Sequence, residues 1–309
     1  MVILVLPGIS SGKDPGTVGG QVLKLGAHCR SAGKGGAFTA VSDDVSSVYY
    51  NPAGLAQLVR PEAAFTYMSH IAGAKSFDTA FALPLGERGG ALGAALYYLY
   101  TRDKRVDGDT GIETGNFTCY NSYLILGYSR KVGDYFSAGI NSKFMMNRLD
   151  DFRSSNSGLD LGALYNPSGR FRLGAGVRNI GTDIKLRKGD SLETWPLTLT
   201  AGASFRFINP DITLASDIRK ESDSGMIYSI GAEYTLKTEY GSVSILEYPP
   251  VFVFRAGYSR IPERSSPGGA AGLGAGFGIT YGNFRLDYAF TPLGDLGNNT
   301  HRVSLLSGF

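Results

Sequence analysis

From about residue 63 to the end of the chain, apolar and polar residues alternate with a period of two, in runs that mostly reach nine residues or more. That period is the signature of strands with two chemically different faces. In 198–207, Leu199, Ala201, Ala203, Phe205 and Phe207 fall on one face, and Thr198, Thr200, Gly202, Ser204 and Arg206 on the other. In 226–237, Met226, Tyr228, Ile230, Ala232, Tyr234 and Leu236 oppose Ser229, Gly231, Glu233, Thr235 and Lys237. Read this way the chain gives fourteen strands, at 63–71, 76–85, 90–102, 116–132, 135–149, 156–166, 170–180, 194–207, 211–219, 226–237, 251–259, 269–281, 283–291 and 300–309. Soluble strands average about five or six residues, whereas a tilted strand crossing a bilayer needs about nine to eleven.

The connections alternate as well. Short turns are expected at 86–89, 133–134, 166–169, 209–210 and 282, and longer loops at 103–115, 150–155, 181–193, 220–225, 260–268 and 292–299. Short turns on one rim and long loops on the other describe an outer-membrane barrel. Only 238–250 breaks the rule, being long where a short turn is due. Open sheet edges cannot exist in lipid, so fourteen such strands must close on themselves. The alternative is a large soluble sandwich or barrel, with the apolar face inside and the polar face in water. That polar face is poor in Lys and rich in Gly, Ser and isolated charges, which suits a crowded lumen better than a solvated exterior. The inward charges are expected to be Lys143, Asp160, Arg178, Arg206, Asp217, Arg219, Glu233, Arg255, Arg285 and Asp287, paired across neighbouring strands as a ladder or lining a path for a substrate. Tyr67, Tyr100, Tyr128, Trp195, Tyr258 and Tyr281 lie near strand ends, where interface girdles form.

Other classes fail on specific grounds. Lys plus Arg is 30 against 27 Asp plus Glu, a net +3 with no basic run, so there is no footprint for nucleic acid. A mean hydropathy of −0.05 is too low for a bundle of membrane helices. The uncharged stretch 265–284 has GxxxG spacing, but its period is two and glycines interrupt any helical stripe. Cys29 and Cys119 make no CxxC pair, and His28, His70 and His301 accompany no metal-ligand set, so neither cofactor nor metal is expected. The Gly272–Gly276 repeat lacks the strand-helix context of a dinucleotide loop. The acidic stretch 107–113 is too short for a calcium loop. No Ser/His/Asp or Cys/His set is identifiable, so an enzyme is not expected.

Two segments precede the alternation. Residues 1–12 are a short apolar run ending in small residues, like the tail of a signal peptide without its basic start; a frayed apolar terminus is the alternative. Residues 13–60 read as a lumen-filling plug of tight turns and short helices, with an arm packed under the barrel as the alternative; the barrel is 61–309. Gly33, Gly35 and Gly36 permit close approach to a wall, Asp43 or Asp44 is placed to cap a short helix, and Asn51-Pro52 reads as N-cap followed by the first helical position. A barrel of this size is too wide for its own side chains to fill.

The same segment carries a family resemblance. Gln21-Val22-Leu23-Lys24-Leu25, Gly35-Gly36-Ala37-Phe38-Thr39-Ala40-Val41-Ser42-Asp43-Asp44 and Tyr49-Tyr50-Asn51-Pro52-Ala53-Gly54-Leu55-Ala56 together resemble the N-terminal signature of the PorV/PorQ outer-membrane proteins, whose barrel is like that of the FadL fatty-acid transporters. Lys34 departs from the pattern, which tends to an apolar residue such as Met there. The resemblance implies a non-enzymatic, monomeric barrel in the bacterial outer membrane with both termini periplasmic. It implies a role in type IX secretion, receiving and passing on secreted cargo proteins, or FadL-like transport of long-chain fatty acids or other hydrophobic molecules. A surface adhesin or structural barrel is a further alternative, supported by the long loops. The terminal aromatic Phe309 on the last strand reads as the signal for the barrel assembly machinery.

Overall fold

A computed structural model describes residues 18–309 except 71–72, 87–88, 108–109, 151, 183–192, 210, 239–247, 261–269 and 295–298. Fourteen strands form a closed antiparallel barrel: β1 Glu62–Ser69, β2 Lys75–Pro84, β3 Ala91–Val106, β4 Glu113–Val132, β5 Phe136–Leu149, β6 Phe152–Tyr165, β7 Phe171–Gly181, β8 Thr198–Phe207, β9 Ile212–Glu221, β10 Met226–Lys237, β11 Val251–Arg260, β12 Leu273–Tyr281, β13 Phe284–Thr291 and β14 Thr300–Gly308. Each strand pairs with its chain neighbours, and β1 closes the ring on β14 with Glu62 opposite Gly308 and Ser69 opposite His301. The expected number, order and closure of the strands are therefore found. The apolar start at 1–12, most of the 238–250 connection, the greater part of the loops at 181–193 and 260–268 and half of that at 292–299 lie outside the described residues.

Exposure along the strands is inverted relative to a soluble protein. In β2, Phe77, Phe81 and Leu83 are exposed while Ser76, Asp78, Ala80 and Ala82 are buried. In β13, Phe284, Leu286 and Tyr288 point out, and Asp287 is buried. Burying an ionised carboxylate and exposing phenylalanines is unfavourable in water on both counts, but is the arrangement a barrel adopts when its exterior solvent is lipid.

The interior has two unlike halves. Against β1–β5 it is mainly apolar, with Asp78, Asn141 and Lys143 as buried exceptions: Ala64, Ala80, Ala82, Ala91, Ala95, Tyr97, Tyr123, Ile125 and Met145 join Val22, Leu23, Val45, Val48 and Leu55 in one buried cluster. Tyr97 and Tyr123 stack within it, 5.0 Å between centroids. Against β9–β13 it is charged, with Asp217, Glu233, Arg255 and Asp287 buried. The crowded polar lumen expected from alternation thus describes only part of the ring: small alanines on β1–β3 let an apolar segment approach the wall.

Two further expectations change. Trp195 is not in an interface girdle but buried inside, where a Cβ added at Gly181 would lie 2.2 Å from its ring and one at Gly158 2.6 Å. The loop expected at 103–115 is mostly strand, because β3 runs to Val106 and β4 starts at Glu113, cross-linked by Lys104–Glu113 and joined to the neighbouring turn by Arg105–Asp150. At 20 residues β4 is about twice the length a bilayer crossing needs, so this hairpin projects beyond the wall on the long-loop side.

Candidate functional site

Four helical turns lie before the barrel strands: 3-10 turns Gln21–Lys24 and Pro52–Gln57, and α-turns Cys29–Gly33 and Ser47–Tyr50. They sit within the ring of strands and touch inward-facing residues around it. Close approach is made possible by missing side chains. Gly35 has φ +61°, and a Cβ there would fall 2.5 Å from Tyr258 N; one at Gly257 would fall 2.1 Å from the Lys34 carbonyl carbon. Leu55 packs on Gly93 and Gly127, and Pro52 on Gly139 and Gly162.

Hydrogen bonds fix the segment's register. Asn51 Oδ1 accepts from Ala53 N at 3.2 Å, the N-cap bond that its sequence predicts, while its Nδ2 donates to Thr39 O (2.9 Å) and Ala163 O (3.1 Å). Phe38 N and Thr39 N both donate to Asp217 Oδ2, at 2.9 and 2.8 Å. Asp44 Oδ1 accepts from Ser46 N at 3.0 Å, whereas Asp43 turns to Arg30 and Arg172. Ala37, Ala53 and Leu55 are completely buried, and Gly54 lies under Ser42, where a Cβ would be 2.3 Å from Ser42 O.

Arg30 is the hub of the charged half. It bonds Glu233 through Nε (2.9 Å) and Nη2 (2.8 Å), and Asp44 through Nη1 (3.0 Å), besides Asp43. Arg255 joins Glu233 (2.7 Å) to Asp287 (2.6 Å), and Arg285 joins Asp287 (2.8 Å) to Asp44 (2.9 Å). Of the expected inward charges, Glu233, Arg255, Arg285 and Asp287 belong to this lattice. Asp217 holds the segment's backbone, and Lys143 pairs with Asp160 (2.9 Å). Arg206 instead sits half-exposed at the short-turn rim in a bidentate pair with Asp211, whose carboxyl that bond holds below its usual range. Burial opposes ionisation of Asp44, yet Arg30 and Arg285 outweigh it and keep the carboxyl far below the ordinary range. Lys34 is completely buried, its Nζ 3.9 Å from Glu233 and 4.8 Å from the centre of the Phe38 ring; burial pushes its ammonium down to about 8.

Sequence reasoning missed one buried chain. Cys29 bonds Ser304 Oγ (3.0 Å), Ser304 meets Thr66 Oγ1 (2.8 Å), Thr66 meets His28 Nδ1 (3.0 Å), and His28 Nε2 lies 3.1 Å from Asp78. Its members are up to 275 residues apart, so no spacing signals it. All five are buried, and burial pushes the Cys29 thiol up to about 12, so the chain is a clasp between the segment and β1, β2 and β14 rather than a nucleophile in reach of a substrate. Both cysteines are free thiols. Among the described residues no group of His, Cys, Asp and Glu could hold a metal ion.

On the long-loop side the segment and wall enclose a cavity of about 220 Å³. Leu23, Leu25, Tyr49, Tyr50, Tyr123 and Ile125 supply apolar surface, and Lys143, Arg178, Arg219 and Arg302 supply positive charge. Arg178 donates to Tyr49 O (3.1 Å) and Arg302 to Thr291 Oγ1 (3.0 Å). Neither has a carboxylate within ion-pair distance among the described residues, and the Nε of each is buried without a partner there. Phe309, just beyond β14, is exposed on the short-turn side and donates its backbone N–H to Pro61 O at 3.0 Å.

Comparison with known proteins places this geometry. A family described as "Uncharacterised protein family (UPF0164)" matches residues 7–142, from the N-terminal segment into β5. No curated protein matches the chain. Among solved structures it is similar to a Pseudomonas aeruginosa FadL homologue, with TM-score 0.60 and 12% identity over 92% of this chain and 98% of that one. It is similar to the Ralstonia pickettii toluene transporter TbuX, with TM-score 0.58 and 14% identity over 92% and 98%. It is also similar to the Pseudomonas putida toluene transporter TodX, with TM-score 0.55 and 14% identity over 98% and 99%. At these identities the similarity establishes the fold, a fourteen-strand antiparallel barrel of the FadL kind.

Proposed function

We propose that this protein is an outer-membrane barrel that takes up a hydrophobic molecule carrying an acid group, such as a long-chain fatty acid, from the long-loop side, with residues 18–58 serving as a plug. The observation that carries this reading is the cavity on that side, where aliphatic and aromatic walls meet guanidinium groups left without carboxylate partners. Apolar walls favour a hydrocarbon chain by about 25 cal/mol per Å² removed from water. Arginines without a counter-charge favour a carboxylate head. The names of the similar barrels, a FadL homologue and two toluene transporters, lean the same way. The exposed apolar strand faces support a membrane location, and we read the short-turn side, where β1 starts and β14 ends, as the periplasmic one.

The cargo-secretion reading rests on the signature at 35–44 and 49–56. Those residues are spent on seating the segment against the wall, a task any plugged barrel has, and so they favour transport and secretion equally. The test is growth. A strain lacking its own outer-membrane fatty-acid transporter should grow on oleate when given this protein, and growth should fall at least fivefold with Arg178→Ala/Arg302→Ala at equal surface expression. Absent growth with the folded barrel in place would overturn the transport reading. Loss of surface-anchored proteins from a deletion strain with unchanged oleate use would favour secretion.

A further inference from the structure

On the short-turn side, opposite the cavity just described, segment and wall enclose a second one of about 210 Å³. Six arginines line it: Arg30, Arg170, Arg172, Arg206, Arg255 and Arg285. The carboxylates around it are each shared by two or more cations. Asp43 serves Arg30 and Arg172; Asp44 serves Arg30 and Arg285; Asp211 serves Arg206 and Lys237; Glu233 serves Arg30, Lys34 and Arg255; Asp287 serves Arg255 and Arg285. With Arg170, which forms no ion pair among the described residues, eight cations meet five carboxylates. The surplus is at the rim. Arg172 spends only Nη1, on Val41 O (2.9 Å) and Asp43 (3.0 Å), and its other donors have no bond among the described residues. The floor cannot contract to neutralise them, because Arg30, Arg255 and Arg285 are already committed to the buried lattice.

We propose that this cavity is an anion site, taking a phosphate or a carboxylate head group at the rim guanidiniums of Arg170, Arg172 and Arg206. Planar guanidiniums offer paired donors that match an oxyanion edge, and those of Arg172 and Arg206 are held in place by Asp43 and Asp211 before the anion arrives. Val41, Val251 and Val253 form part of the wall and lower the local dielectric, which strengthens each contact. Free phosphate and the head of a single-chain amphiphile share this chemistry, and the site does not depend on the transport reading.

The experiment is calorimetric titration of the full chain in phosphatidylcholine nanodiscs at low salt, with inorganic phosphate in one arm and octanoate in the other, each corrected for empty discs. One site is expected, weakened at least tenfold by Arg170→Gln/Arg206→Gln and weakened by added sodium chloride. Binding of phosphate alone identifies a free oxyanion as ligand, and binding of octanoate alone an amphiphile head; either supports the site. Arg170→Gln alone, at an exposed side chain with no ion pair, should still weaken binding severalfold and guards against misfolding of the double variant. No heat in either arm, or equal affinity in the wild type and both variants, would overturn it. A bound anion together with failed growth on oleate would remove the transport reading and leave this site standing.

Discussion

Lys34 shows what a single side chain carries here. Its ammonium is sealed between Phe38 and Glu233, and Glu233 already has Arg30 and Arg255 as partners. Removing the charge therefore strands no carboxylate. Lys34→Met is expected to raise stability at neutral pH, read as a higher urea midpoint in lipid vesicles. The sign with pH follows from linkage. The folded ammonium titrates near 8 and the ordinary one at 10.5, so between these values the unfolded chain holds more protons and raising pH favours the folded state. The margin of Lys34→Met over the wild type is largest below pH 8 and should shrink by about 3 kcal/mol by pH 10.5. A constant margin across that range would show that the folded ammonium keeps its ordinary, water-exposed titration. The sequence marks Lys34 as a departure from the family signature that the segment resembles, but not its partners, because Glu233 lies about two hundred residues away in the chain.

The N-terminal segment is fastened differently on its two sides, by apolar packing on β1–β5 and by ions on β9–β13. Arg30 joins three carboxylates in the second contact, each of which retains another cation if Arg30 is lost. Arg30→Ala should thus loosen the segment without opening the barrel: single-channel conductance in planar bilayers rises several-fold and becomes noisy, while the strand signal in circular dichroism is unchanged. Lys104→Ala, on the projecting hairpin, should alter neither. Equal conductance in wild type and Arg30→Ala would mean that the ion lattice does not hold the segment. At this scale much was legible. Asn51-Pro52 places its turn, and alternation puts Glu233, Arg255, Arg285 and Asp287 inward. What alternation cannot supply is which inward residue meets which, since that depends on how a separate segment lies across the lumen. For the same reason alternation does not single out Arg30, His28 or Asp78, and it assigns Trp195 to a girdle: its burial depends on Gly158 and Gly181, which face each other across β6 and β7.

For the whole molecule, a strict period of two sustained in long runs, with long and short connections alternating, was enough to read fourteen strands and their closure. The apolar inner half was not legible, because Ala64, Ala80, Ala82, Ala91 and Ala95 read as merely small until the segment that covers them is in place. Apolar strand faces that meet lipid, around a lumen that holds the packed segment, can be tested with the single tryptophan. Trp195 is buried inside, 3% exposed, whereas Phe144 faces outward, 49% exposed. In vesicles of lipids brominated on their acyl chains, the native fluorescence should be almost unquenched. A Phe144→Trp/Trp195→Phe protein should lose most of its emission. Strong quenching of native Trp195, or none at position 144, would show that the outward strand faces do not meet lipid around a packed lumen.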